Sequence, residues 1–97
     1  PHGAVEDAIH DVLGTSETKV VVTGIADSAR GEKLIVLHLR LDQAPADILA
    51  TLRERGIPNL WLPKPADFHE ISTIPVLGSG KLDLAQLREM ATEMTSK

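Results

Sequence analysis

The sequence predicts an α+β domain, a small sheet of about three main strands that includes an antiparallel hairpin and is covered by three helices. Three observations carry this expectation. Apolar residues recur at helical spacing in three separate stretches, at both ends of the chain and in its middle. Two neighbouring runs are strand-like, one rich in β-branched residues and one alternating, and a link with turn chemistry separates them. Finally, 97 residues with 42% hydrophobic content can build one compact domain and are too few for two.

The first helix is read from Ala4, Val5, Ala8, Ile9, Val12 and Leu13, which share one face and stop near Gly14, with Glu6, Asp7, His10 and Asp11 on a solvated face. Residues 19–25 form the first strand. Residues 33–41 form the second, with Ile35, Leu37, Leu39 and Leu41 on one side and Leu34, Val36, His38 and Arg40 on the other. Between them, Asp27, Ser28 and Gly31 supply turn chemistry over residues 26–32, so antiparallel pairing is the simplest arrangement. Pro45 suits the first turn of a second helix whose face is Ile48, Leu49 and Leu52, with Arg53 and Arg55 near its end and Gly56 as the stop. Pro58, Pro63 and Pro65 then hold residues 57–67 in a structured crossing without a regular helix. A short strand follows over residues 68–73. Asp83 is placed to cap a last helix, with Gln86 three positions on and a stripe of Leu84, Leu87, Met90, Ala91 and Met94, before a frayed tail over residues 95–97.

Composition narrows the function classes. A formal net charge of −4 and only two aromatic residues, Trp61 and Phe68, argue against a nucleic-acid surface, which needs cations for phosphates and rings for stacking. The chain has no cysteine, which removes disulfides, thiolate metal sites and a thiol nucleophile. His2, His10, His38 and His69 lack metal-ligand spacing, so no structural metal is expected. No apolar run approaches the roughly 20 residues of a membrane span. The start at Pro1 has neither the basic nor the apolar region of a signal peptide and reads as a cut from a longer protein.

The stretch Ile74-Pro75-Val76-Leu77-Gly78-Ser79-Gly80-Lys81-Leu82-Asp83-Leu84 sets one lysine on glycines between an extended segment and a helix start. It is not a Walker-type phosphate loop, because Pro75 stands where that loop has its first glycine and Leu82 where it has a Ser or Thr. Locally, it reads first as an exposed turn whose lysine faces water.

In context it resembles something more specific. The run Val20-Val21-Val22-Thr23-Gly24-Ile25-Ala26-Asp27 with Arg30-Gly31-Glu32-Lys33, then Leu60-Trp61-Leu62-Pro63, then Ile74 to Asp83, is similar in order to the C-terminal subdomain of adenylate-forming (acyl-CoA synthetase-like) enzymes. Within that superfamily, Asn59-Leu60-Trp61-Leu62-Pro63 and Val76 to Leu84 most resemble the acyl-acyl-carrier-protein synthetase domains of 2-acylglycerophosphoethanolamine acyltransferases. Leu77, Trp61 and Asp83 depart from the common pattern, which has Thr, Tyr and Arg there.

The resemblance implies that residues 1–97 are the mobile lid subdomain of an AMP-forming ligase whose N-terminal ATP-binding domain lies upstream. Lys81 would be the catalytic lysine of adenylate formation, with Gly78 and Gly80 allowing hinge motion and close backbone approach. Gly24 and Arg30 would lie near the arm of the acceptor thiol. Arg53, Arg55 and Lys64 would offer a positive patch to an acidic carrier protein. The implied cofactors are ATP and Mg2+, bound mainly by the other domain, and the acceptor is the phosphopantetheine thiol of acyl carrier protein or CoA. The implied partners are the N-terminal ligase domain, the carrier protein or CoA, and a fatty acid or 2-acyl lysophospholipid, with no nucleic acid. The expected location is cytoplasmic, with the parent enzyme at the cytoplasmic membrane, and the isolated piece is expected to be inactive. The same fold as a stand-alone binding or regulatory module, or as the lid of an acyl-CoA synthetase, is the alternative.

Overall fold

The computed structural model describes residues 2–29 and 31–95. The elements run in the order α1 (His2–Leu13), β1 (Val20–Asp27), β2 (Gly31–His38), α2 (Pro45–Glu54), β3 (Phe68–Glu70) and α3 (Leu84–Thr95). The α+β expectation holds, with three strands and three helices among the described residues.

The sheet has the order β1-β2-β3, with β2 in the centre. β1 and β2 form an antiparallel hairpin from Val20↔His38 to Asp27↔Gly31. The hairpin is tighter than the sequence suggests, because Ala26 and Asp27 stay paired with Glu32 and Gly31. Ala29 N–H donates to Asp27 Oδ1 at 3.2 Å, the aspartate turn chemistry expected there. β3 runs parallel to β2, pairing Val36↔Phe68 through His38↔Glu70, because the intervening α2 carries the chain back across one face.

Period-two alternation divides the core in two. Val20, Val22, Val36 and Phe68 meet Val5 and Ile9 of α1 and Ile48, Leu49 and Leu52 of α2. On the opposite face, Val21, Ile25, Ile35, Leu37 and Ile71 meet Leu87 and Ala91 of α3. Each such fully buried aliphatic side chain contributes roughly 1.5 to 3 kcal/mol.

Several details differ from expectation. β2 ends at His38 rather than residue 41, since the last ladder bond is Leu39 N–H to Lys19 O at 2.9 Å and no β1 partner follows. Beyond it the chain bends, so Leu39 packs on the α3 side and Leu41 on the α1/α2 side instead of sharing a face. The proline-rich crossing has no regular helix, and Leu62 and Lys64 are extended before their prolines; it also holds two single-turn 3-10 helices, Asn59–Trp61 and Pro65–Asp67, which the sequence did not indicate. β3 is also shorter than residues 68–73, and Leu84 of the last helix is 65% exposed rather than part of the core stripe. Thr95 lies in α3, while residues 96–97 of the expected tail lie outside the described residues.

The polar face of α1 does more than meet water. Glu6 Oε1 accepts Val22 N–H at 2.8 Å, and His10 Nε2 accepts the N–H groups of Lys19 and Val20, each at 3.2 Å. Residues 6 and 10 are one helical turn apart and so cap donors on the outer edge of β1. Asp11 Oδ2 meets Arg55 Nη1 at 2.7 Å and ties α1 to the end of α2.

Candidate functional site

Lys81 lies on the returning arm of a small closed hairpin rather than on a loose glycine linker. Val76 bridges Leu82 in antiparallel fashion. Leu77 N–H donates to Lys81 O at 2.7 Å, Gly80 N–H to Leu77 O at 2.8 Å, and Asp83 N–H to Pro75 O at 3.0 Å. Leu77 to Gly80 is therefore a hydrogen-bonded turn, and Gly80, at φ +88°, supplies the left-handed residue that returns the chain to its partner arm. Gly78 does not take a positive φ, so only one of the two glycines meets a backbone demand.

Both ends of this hairpin are anchored. Ile74 and Leu82 pack against the α3-side core. At the far end, Asp83 Oδ1 accepts Gln86 N–H at 3.1 Å, the expected cap of α3. The Lys81 side chain is exposed and, among the described residues, its ammonium has no hydrogen-bond or ion-pair partner. Val76, Leu77 and Leu84 around it are 58%, 48% and 65% exposed, an apolar setting beside the ammonium. Such a unit can place one positive charge against an anion presented by another surface, with its backbone ordered beforehand.

Gly24 lies in β1 opposite Leu34. It lines a cleft of about 330 Å³ with His2, Glu6, Leu82, Leu84 and Arg88, so Gly24 and the base of the Lys81 hairpin share one concavity. The Glu32 carboxylate lies over Gly24, where a Cβ would displace it, and accepts from or pairs with His2 Nε2 at 3.0 Å. Arg30 lies outside the described residues. Of the expected basic patch, Arg53 and Lys64 line one cleft, whereas Arg55 is engaged by Asp11.

Arg88 was not singled out by sequence, although its position one residue after Leu87 on α3 places it beside the Gly24 cleft. Asp67 was also missed. Its side chain is 8% exposed, its Oδ2 accepts Lys64 N–H at 2.9 Å, and its Oδ1 meets Lys33 Nζ at 3.2 Å. The signal was present in Pro65 followed two residues later by an acid, a short-helix start. Among the described residues, no three His, Asp or Glu side chains converge to hold a metal ion, and no helix is long and apolar enough to cross a membrane. Lys81 fits one contact to a phosphate; these residues do not form a nucleotide cradle or an acidic Mg2+ site.

No family model matches the chain. Solved structures do. Amide bond synthetase McbA from Marinactinospora thermotolerans superposes with a TM-score of 0.74 at 22% identity, over 92% of this chain and 18% of that one. ATP-bound MatB from Rhodopseudomonas palustris gives 0.70 at 18% identity, over 95% and 18%. An acyl-CoA synthetase from Brucella canis gives 0.67 at 16% identity, over 98% and 18%. The chain has the fold of one small region of these three proteins. It spans under a fifth of the length of each of the three, and identities this low show the fold alone.

Proposed function

We propose that this chain is the mobile C-terminal subdomain of an ATP-dependent, AMP-forming acyl ligase, and that Lys81 is the cation it lends to adenylate formation. The observation that carries the reading is Lys81 itself, unpartnered among the described residues on a hairpin braced by three backbone hydrogen bonds and Gly80. The shared fold with a region of three larger proteins, two of them synthetases and the third solved with ATP bound, supports it.

In adenylate formation a carboxylate oxygen bonds to the α-phosphorus of ATP and the bond to pyrophosphate breaks, bringing two anions together. The Lys81 ammonium offsets that repulsion and stabilises charge building on the phosphoryl oxygens. A compact charge on a flexible stem suits this better than the planar fork of arginine. ATP and Mg2+ would be bound mainly by the domain upstream. When the subdomain rotates, Lys81 withdraws and the Gly24 cleft, with Arg30, turns toward the phosphopantetheine thiol of acyl carrier protein or CoA. In the finer reading, the parent is an acyl-acyl-carrier-protein synthetase within a lysophospholipid acyltransferase, acting on a fatty acid or a 2-acyl lysophospholipid. The isolated subdomain, lacking the other half of the site, is inactive.

The experiment is Lys81→Ala in the full-length ligase. Pyrophosphate exchange should fall at least about a hundredfold, the scale of one lost transition-state contact. Transfer from supplied acyl-adenylate to the thiol should be largely spared. Wild-type exchange in the variant would refute the assignment.

A further inference from the structure

A second surface stands apart from the Lys81 hairpin, on the proline-rich crossing. Leu60 is 98% exposed and Trp61 is 41% exposed. Neither residue sits on a loose loop. Trp61 N–H donates to Pro58 O at 3.0 Å and Leu62 N–H to Asn59 O at 3.1 Å, which closes the turn. Arg53 Nε donates to Asn59 Oδ1 at 3.1 Å and fastens the turn to the last turn of α2. Behind the tip lies a cleft of about 500 Å³, lined by Arg53 and Lys64 together with Asn59, Leu60, Leu62 and prolines, with no carboxylate in its wall.

We infer that this tip is a peripheral docking element for an anionic lipid surface. A rigid turn carrying a nearly fully solvated leucine gains by burying it and loses little conformational freedom in doing so. A protein partner must supply a socket for a protruding Leu60, whereas an acyl-chain boundary accepts it without one. Trp61 beside it is the residue type that settles at the headgroup level, and Arg53 and Lys64, set behind the tip, are placed to meet lipid phosphates while the apolar end goes deeper. The charge match is local. Arg55 is neutralised by Asp11 and the whole chain carries −4, so attraction rests on Arg53 and Lys64 and the contact is weak alone.

Trp61 is the sole tryptophan, so its emission reports on this tip and nothing else. The chain is titrated with vesicles of phosphatidylcholine containing about 30 mol% phosphatidylglycerol, and with phosphatidylcholine alone. A blue shift with the anionic vesicles, and little with the neutral ones, is expected. The Arg53→Gln, Lys64→Gln double variant should partition about thirtyfold less strongly, from the usual contribution of a cation near an anionic surface. Leu60→Asp should remove the shift with unchanged far-ultraviolet circular dichroism, since an exposed side chain leaves folding intact. No shift at saturating anionic lipid, an equal shift on neutral vesicles, or an unaffected Leu60→Asp variant overturns the inference. A saturable shift with acyl carrier protein and none with vesicles also overturns it and assigns the tip to an acidic protein. Neither Leu60 nor the two cations belong to the Lys81 hairpin, so this result and the pyrophosphate-exchange result fail independently.

Discussion

Gly80 and Gly78 differ by two positions and by one dihedral angle, and replacing each by alanine separates two views of the Lys81 turn. Gly80 sits at φ +88°, whereas Gly78 does not take a positive φ, and a Cβ at either would meet nothing within 4 Å. Steric crowding is therefore absent and only backbone terms remain. Alanine in the left-handed region costs roughly 1 to 2 kcal/mol. At both sites the loss of unfolded-state freedom returns about 0.4 to 1 kcal/mol. Gly78→Ala should thus stabilise the hairpin slightly and Gly80→Ala should weaken it, with a difference of about 1 to 2 kcal/mol between them, on the order of tenfold in a local opening equilibrium. Amide hydrogen exchange of Leu77 and Asp83, whose N–H groups close the hairpin, reads this directly. Exchange should be about tenfold faster in Gly80→Ala than in Gly78→Ala. Equal rates in the two variants, or faster exchange in Gly78→Ala, would refute the idea that one left-handed residue holds Lys81 in place.

Two further substitutions probe the scaffold. Asp67→Ala leaves Lys64 N–H without its acceptor and Lys33 without its partner, and should lower unfolding free energy by about 2 to 3 kcal/mol in urea titrations, whereas Asp67→Asn, which retains an acceptor, should cost less. His10→Leu preserves bulk but removes the acceptor for Lys19 N–H and Val20 N–H, and should cost about 1 to 2 kcal/mol, with faster exchange at exactly those two amides rather than throughout β1.

The elements were legible because their signals were local. Pro45, Gly14, Gly56 and Asp83 sit at or next to helix ends, and alternation through Val36 sorted side chains correctly between the two faces. What the sequence concealed was set by tertiary partners. The end of β2 depends on where β1 runs out of residues to pair, and the parallel direction of β3 on how α2 crosses the sheet. Glu6 and His10 look like solvent-facing polar residues until β1 lies alongside them. The candidate site followed the same rule. Lys81 and its glycines were visible as a motif, but the hairpin closure joining Leu77 to Lys81 was not, because turn-rich composition does not specify which bonds close. Asp67 escaped because its partner, Lys33, lies far away in sequence.

The capping of the β1 edge by α1 bears on solubility as well as on geometry. Residues 20–25 read Val-Val-Val-Thr-Gly-Ile, an uncharged, strongly β-prone hexamer of the kind that stacks into fibrils when its edge is open. Two side chains of one helix turn occupy donors along that edge, so α1 acts as a guard against self-association. A chain in which α1 is cut or pulled away from β1 would present the hexamer to its neighbours, making cleavage between these two elements a route to aggregation.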